Sequence, residues 1–270
     1  MYYCDSHTHT KYSFDSGADI RKNCEAAIAA GLSELIITDH YECNFEKDGV
    51  FEEYEADKAY EEISALKKEY EGRLRVTYGI ELGQATQDID KAEKLLGSYP
   101  FEFVIGSLHN LDGVPDFYFL NYRDMPESMI ARLWERYLEE LEGIVDRVRF
   151  SALAHLTYPL RYFAVSGRSF DVSYTYPRID GIFRKIIEKD IALEVNTSGL
   201  RKPIGETSPG MTLVKRYLDL GGKYITVGSD AHRTEDIGAG VKETYARLIS
   251  AGLENITVFR DGRPELIRIV

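Results

Sequence analysis

The chain has 270 residues, 44% of them hydrophobic, which is enough to bury a substantial core as one α/β barrel or as two smaller domains. Its 33 Lys and Arg stand against 45 Asp and Glu, and the net charge of -12 argues against nucleic-acid partners, which are held through clustered cationic side chains. The N-terminus MYYCDSHTH has no basic or apolar leader character and no stretch nears the roughly 18 apolar residues of a membrane span, so a cytoplasmic protein without a membrane partner is expected.

Taken in chain order, short β-type runs alternate with helix-length stretches whose apolar residues recur at spacings of three and four. MYYCD leads into a helix over Ala18 to Ala30, SELIITD into Glu52 to Glu71, RLRVTYGIEL into Asp88 to Leu96, and FEFVIGSLH into Glu127 to Val145. FSALAHL is followed by Arg178 to Lys189, IALEVN by Pro209 to Leu220, and KYITVGSD by Ile237 to Ala251. Such alternation implies parallel β/α units. Seven of them predict a distorted TIM-like (β/α)7 barrel, with a doubly wound open sheet as the alternative. No Pro/Gly/Ser-rich linker or repeat divides the chain, so a single domain over residues 1–270 is expected. Cys4, Cys24 and Cys43 are odd in number and form no CxxC, which argues against a disulfide framework; Cys43 is read as an ordinary free thiol.

In a barrel, chemistry gathers at the C-terminal ends of the strands. His7 and His9 follow the first run, Asp39 and His40 the second, and Glu81 ends the third. His109 ends the fourth, His155 the fifth, and Asp230 and His232 the seventh, so every histidine of the chain sits at a strand end. Residues i and i+2 of an extended segment project the same way, so both rings of His7-Thr8-His9 can reach one ion. Imidazoles mixed with carboxylates suit Zn, Mn or Fe. His7, His9, Asp15, His40, Glu81, His109, His155, Asp230 and His232 supply enough donors for three divalent transition-metal ions.

Read together and in this order, HTHT, TDH, GIELG, GSLH, ALAHL and GSDAH resemble the motifs of the PHP superfamily, named for polymerase and histidinol phosphatase. The resemblance implies a distorted seven-unit barrel with a trinuclear metal site. It implies that His7, His9, Glu81 and Asp230 hold one metal, that Glu81 bridges to a second held by His109 and His155, and that Asp15, His40 and His232 hold the third. The segment LEVNTSGLRK and the aromatic insertion from Asp116 to Tyr122 resemble the monofunctional histidinol-phosphatase branch.

A metal cluster activates water and clamps the oxygens of an in-line displacement, so hydrolysis of a small-molecule phosphate ester is the expected reaction. Covalent routes lack their residues. Arg would be needed six positions after a nucleophilic cysteine, where Thr10, Ala30 and Gly49 stand, and the DxD at Asp88 to Asp90 follows no strand. Glu81 is expected to organise two metals, and Asp230, His232 or water to protonate the leaving alkoxide. Arg161, Arg201 and Arg233 each follow a strand end and are candidate phosphate contacts, because the guanidinium fork matches phosphate oxygens. Glu42 could meet a substrate ammonium, lie in an exposed loop or support a ligand histidine. Asn196 and Ser198 could donate to substrate or shape the turn before Gly199.

The expected substrate is L-histidinol phosphate. A phosphoesterase acting on nucleotides or phosphodiesters, and a non-catalytic metal-binding accessory domain, are the alternatives. Oligomeric state is left open by the sequence.

Overall fold

Aliphatic and β-branched residues that are buried on both faces make the wall of the fold, as parallel strands covered by helices require. The computed structural model describes residues 1–44 and 54–270. In chain order its wall strands are β1 (Cys4–Asp5), β2 (Glu34–Ile37), β3 (His40–Glu42), β4 (Arg75–Gly83), β5 (Phe103–Ser107), β6 (Ala152–Leu153), β7 (Ala192–Asn196) and β8 (Ile225–Gly228). All neighbours pair in parallel, in the order β1-β2-β4-β5-β6-β7-β8. β3 pairs with β4 in the register that β2 began, Ile37 facing Tyr78 and His40 facing Glu81, so β2 and β3 are one interrupted strand.

The chain beyond β1 returns to β8. Ser6 N donates to Val227 O at 2.9 Å, Asp230 N to His7 O at 2.8 Å and His9 N to Ala231 O at 2.9 Å. This seam makes the sheet a nearly closed seven-stranded barrel and removes the open doubly wound alternative.

Eight helices among the described residues surround the wall: α1 (Ile20–Ala29), α2 (Ala56–Glu69), α3 (Ile89–Ser98), α4 (Glu127–Arg147), α5 (Tyr158–Val165), α6 (Tyr176–Glu188), α7 (Met211–Asp219) and α8 (Val241–Ser250). The longest, α4, buries Ile130, Leu133, Trp134, Tyr137, Leu138, Leu141, Ile144 and Val145, a stripe at helical spacing. The stretch expected from Glu52 to Glu71 is helical over Ala56–Glu69, and its residues 52 and 53 lie outside the described residues.

Two elements had no place in the sequence reading. The first is α5, an eight-residue aromatic helix with Pro159 in its first turn. The second is an antiparallel hairpin of β9 (Asn255–Arg260) and β10 (Arg263–Arg268), whose Asp261 and Gly262 carry φ of 51° and 72°, the double positive φ of a tight hairpin turn. Val258 and Phe259 of β9 pack with Ile36, Phe103, Ile105 and Ala152 and so close the floor of the barrel. The three cysteines are buried and unpaired, and no described helix is long and apolar enough to cross a membrane.

Candidate metal centre

At the opposite end, the C-terminal rim, Glu81 of β4 stands at the middle of an imidazole cluster. Its Oε2 lies 3.0 Å from His7 Nε2, 3.4 Å from His9 Nε2 and 3.1 Å from His40 Nδ1. Its Oε1 lies 3.1 Å from His109 Nε2 and 3.0 Å from His155 Nε2. Thus one carboxylate oxygen serves each side of the centre. Asp230 Oδ1 is 3.5 Å from His9 Nε2 and 3.8 Å from His7 Nε2. Asp15 Oδ2 meets His232 Nε2 at 3.0 Å and His40 Nε2 at 3.7 Å.

These donors suit transition metals on their own geometry. His7 Nε2 and His9 Nε2 face each other at 3.0 Å, and His109 Nε2 and His155 Nε2 at 3.3 Å, so buried lone pairs converge on shared points rather than on separate partners. Among the described residues, four groups of donors converge closely enough to share an ion: His7, His9 and Asp230; Glu81, His109 and His155; His9, His40 and His232; and His40, Glu42 and His109. Imidazole with carboxylate is the donor chemistry of Zn, Mn and Fe sites.

Electrostatics shows what holds the cluster together without such ions. Burial pulls the buried imidazoles down, yet the carboxylates of Glu194, Glu81 and Asp230 hold His7 well above its ordinary value. Against the same burial, Glu81, Glu42 and Asp15 raise His40 to about 9, and Glu42 and Glu81 hold His109 high. His9 goes the other way: burial and then the neighbouring His232 and His40 push it down to about 3. Burial penalises the charged forms of Glu81 and Asp230, but the surrounding imidazoles keep both well below the usual carboxylate range. Metal ions bound by these groups would compete with protons for the same nitrogens and oxygens.

The candidate phosphate contacts divide. Arg161, on α5, reaches Asp230 Oδ2 and Ser198 Oγ at 3.3 Å each and donates to Tyr162 OH at 2.8 Å, with its guanidinium 4.2 Å from the Tyr158 ring centroid. Arg201 donates to Ser229 O at 2.8 Å and faces Asp236 at 3.4 Å, while its buried Nη1 has no partner among the described residues. Arg161 thus touches a candidate ligand directly, whereas Arg201 bonds the carbonyl of the residue before that ligand in sequence. Arg233 is exposed: its carbonyl accepts from Asp236 N at 3.0 Å, but its side chain makes no hydrogen bond or ion pair among the described residues.

Asn196 is sealed in the wall, donating to Glu194 and accepting from Ser198 N and Oγ at 3.0 and 2.7 Å, which is turn chemistry rather than an open donor. Glu42 turns inward. Its Oε1 accepts from His109 Nδ1 at 2.9 Å and lies 3.3 Å from His40 Nδ1, so it supports ligand histidines instead of waiting for an ammonium group.

The PHP domain family matches the chain over residues 5–198. The chain belongs to that family. A probable histidinol-phosphatase of Clostridium acetobutylicum is 29% identical over 256 residues, covering 93% of this PHP protein and 95% of the relative. One from Thermotoga maritima is 29% identical and covers 96% of each chain. The crystal structure of the Lactococcus lactis histidinol phosphate phosphatase, complexed with zinc, L-histidinol and phosphate, superposes with a TM-score of 0.81 at 25% identity over 97% of this chain and 98% of that one. A crystal structure from Listeria monocytogenes, at 22% identity and a TM-score of 0.79, shares the fold.

Several residues that set up this PHP centre escaped the sequence reading. Glu194 of β7 accepts from His7 Nδ1 at 2.7 Å through Oε1 and from His155 N at 2.7 Å through Oε2, orienting two candidate ligands at once. Ser13 accepts from His9 Nδ1 at 3.0 Å and donates to the buried Asp39 at 2.8 Å. Gly228 is required by closeness, because a Cβ there would collide with His7 and Glu194. Asp230 itself has φ of 54°, a left-handed backbone that Asp tolerates better than most residues, at the point where the seam crosses the rim.

Proposed function

We propose that residues 1–270 act as one PHP-type domain in the cytoplasm, a metal-dependent phosphatase that hydrolyses L-histidinol phosphate to L-histidinol and phosphate in histidine biosynthesis. The observation that carries this reading is the division of the Glu81 oxygens between His7, His9 and His40 on one side and His109 and His155 on the other, with the Arg161 guanidinium on the neighbouring Asp230. Near full-length relatives that bear the histidinol-phosphatase name, one of them holding L-histidinol and phosphate beside zinc, support the substrate.

In this reading His7, His9, Asp15, His40, Glu81, His109, His155, Asp230 and His232 hold three divalent transition-metal ions. When bound, such ions bring the pKa of water from about 15.7 toward 7 and neutralise charge on a phosphoryl group in transfer. The chain's own groups do the rest. Arg161 is fixed by Asp230, Ser198 and Tyr162 so that its fork meets phosphate oxygens in one orientation, and the unpartnered Nη1 of Arg201 gives a second charged donor. His232 Nδ1, 3.1 Å from Asp230 O and 3.5 Å from its Oδ1, places both side chains to pass a proton to the departing alkoxide.

A kinetic comparison tests the assignment. For L-histidinol phosphate, kcat/KM exceeds that for p-nitrophenyl phosphate by at least about 100-fold, or about 2.7 kcal/mol of differential transition-state binding. Equal turnover of the two esters, or preference for a nucleotide or a phosphodiester, would overturn the substrate and leave the metal-dependent hydrolase.

A further inference from the structure

The substrate read above carries an anion at one end and an ammonium group a few bonds away, so a cationic rim of metals and arginines needs one carboxylate free to receive it. The acids already described are committed. Glu81, Asp230, Asp15 and Glu42 face histidines, and Asp236 faces Arg201.

Asp116 differs. It begins the aromatic insertion, its Oδ1 accepts from Tyr118 N at 2.7 Å and from Tyr158 OH at 3.4 Å, and its Oδ2 receives no hydrogen bond among the described residues. Both donors are neutral. Its place beside the centre is fixed through Tyr158, whose ring centroid is 4.9 Å from that of His109 and 4.8 Å from that of His155. Tyr118 packs edge-on against Tyr162 at 6.0 Å and holds the insertion to α5.

The hydrogen bonds also run one way. Arg161 Nη2 donates to Tyr162 OH at 2.8 Å, Tyr162 OH to Tyr158 OH at 2.9 Å, and Tyr158 OH to Asp116. A relay that starts at the guanidinium flanking the phosphate position ends on a carboxylate with an open oxygen, and aligned donors of this kind polarise one another. The two ends of the relay match the two charges of an aminoalkyl phosphate.

We infer that Asp116 is the residue that binds the ammonium group of the substrate and selects amino-alcohol phosphates over other monoesters. The inference rests on the phosphomonoesterase reading of the same site. It replaces Glu42 in the role considered from the sequence.

The test crosses a change in the protein with a change in the ligand. In the metal-loaded native enzyme, kcat/KM for L-histidinol phosphate exceeds that for its analogue lacking the amino group by at least about 30-fold, the scale of one charge-assisted contact. In Asp116→Asn the gap closes to within about 3-fold. O-phosphoethanolamine against ethyl phosphate repeats the comparison with no imidazole present. A gap that survives in Asp116→Asn, or no gap in the native enzyme for either pair, overturns the inference. If L-histidinol phosphate instead proves no better than p-nitrophenyl phosphate, the substrate reading alone fails, and the phosphoethanolamine pair decides Asp116 by itself.

Discussion

The two ends of the barrel bury carboxylates in opposite ways. At the floor, Glu34 accepts from Tyr2 OH at 2.8 Å, from Thr77 Oγ1 at 2.7 Å and from Nη1 and Nη2 of Arg260 at 2.9 Å each. Every donor there belongs to a group whose charge does not change near neutral pH, so the network is complete as the chain folds. At the rim, Glu81 is buried just as deeply but is surrounded by imidazoles whose nitrogens face one another. That network can exchange protons for metal ions, whereas the floor cannot. The same residue type is structural at one end and chemical at the other because its partners differ.

The comparison breaks most severely at Glu81. Glu81→Gln lowers kcat/KM by more than about 1,000-fold, above what losing one transition-state donor costs, and lowers the metal content measured by elemental analysis. Retention of activity in Glu81→Gln would remove the bridging role. Its counterpart at the floor, Glu34→Gln, costs about 3 kcal/mol of stability in urea unfolding, because Arg260 loses its counter-charge while keeping some contact with water. The folded Glu34→Gln protein keeps its metals and its kcat; a loss of metal comparable with that of Glu81→Gln would erase the contrast.

Smaller effects follow at the arginines. Arg161→Ala and Arg201→Ala each raise KM, by roughly 1.5 to 3 kcal/mol of lost charge-assisted contact, with kcat affected less. An unchanged KM in both would end their assignment to phosphate.

The gentlest probe is pH. In metal-free protein His40 sits at about 9, above its ordinary 6.5, so the folded state binds more protons than the unfolded chain between those values. His40 then contributes stability that is complete below about 6.5 and is lost as pH rises through about 9. The Tm of metal-stripped protein therefore falls across that window, while metal-loaded protein, whose imidazoles are held as ligands, changes less. Parallel pH profiles for the two forms would contradict the exchange of protons for metals.

Most of the rim was legible because strand ends are local features. A histidine directly after an apolar run announces its own position, and six such positions close into one bowl once the strands form a barrel. Glu194 gives no comparable signal: it lies inside the apolar run IALEVN, and its partner His7 is 187 residues away in sequence. Arg233 is adjacent to His232 yet exposed with no side-chain partner among the described residues, since adjacency in sequence says nothing about which way a side chain points. Helix α5 was too short and too aromatic to show a 3.6-residue period, although it carries Tyr158, Arg161 and Tyr162. The floor hairpin does carry a local signal, Asp261-Gly262 between two β-type runs.

The seam between β1 and β8 has a consequence for synthesis. Asp5 Oδ1 accepts from Ser229 N at 2.7 Å across 224 residues, and Asp5 Oδ2 accepts from Gly238 N at 2.8 Å. Contacts this distant form late, since the intervening loop must close first. On the ribosome, His7 and His9 are made more than 200 residues before Asp230, yet the wall that seats them is not complete until Asp230 has left the exit tunnel. The pocket formed by these side chains is thus assembled only after β8 has been made, however early His7 and His9 appear.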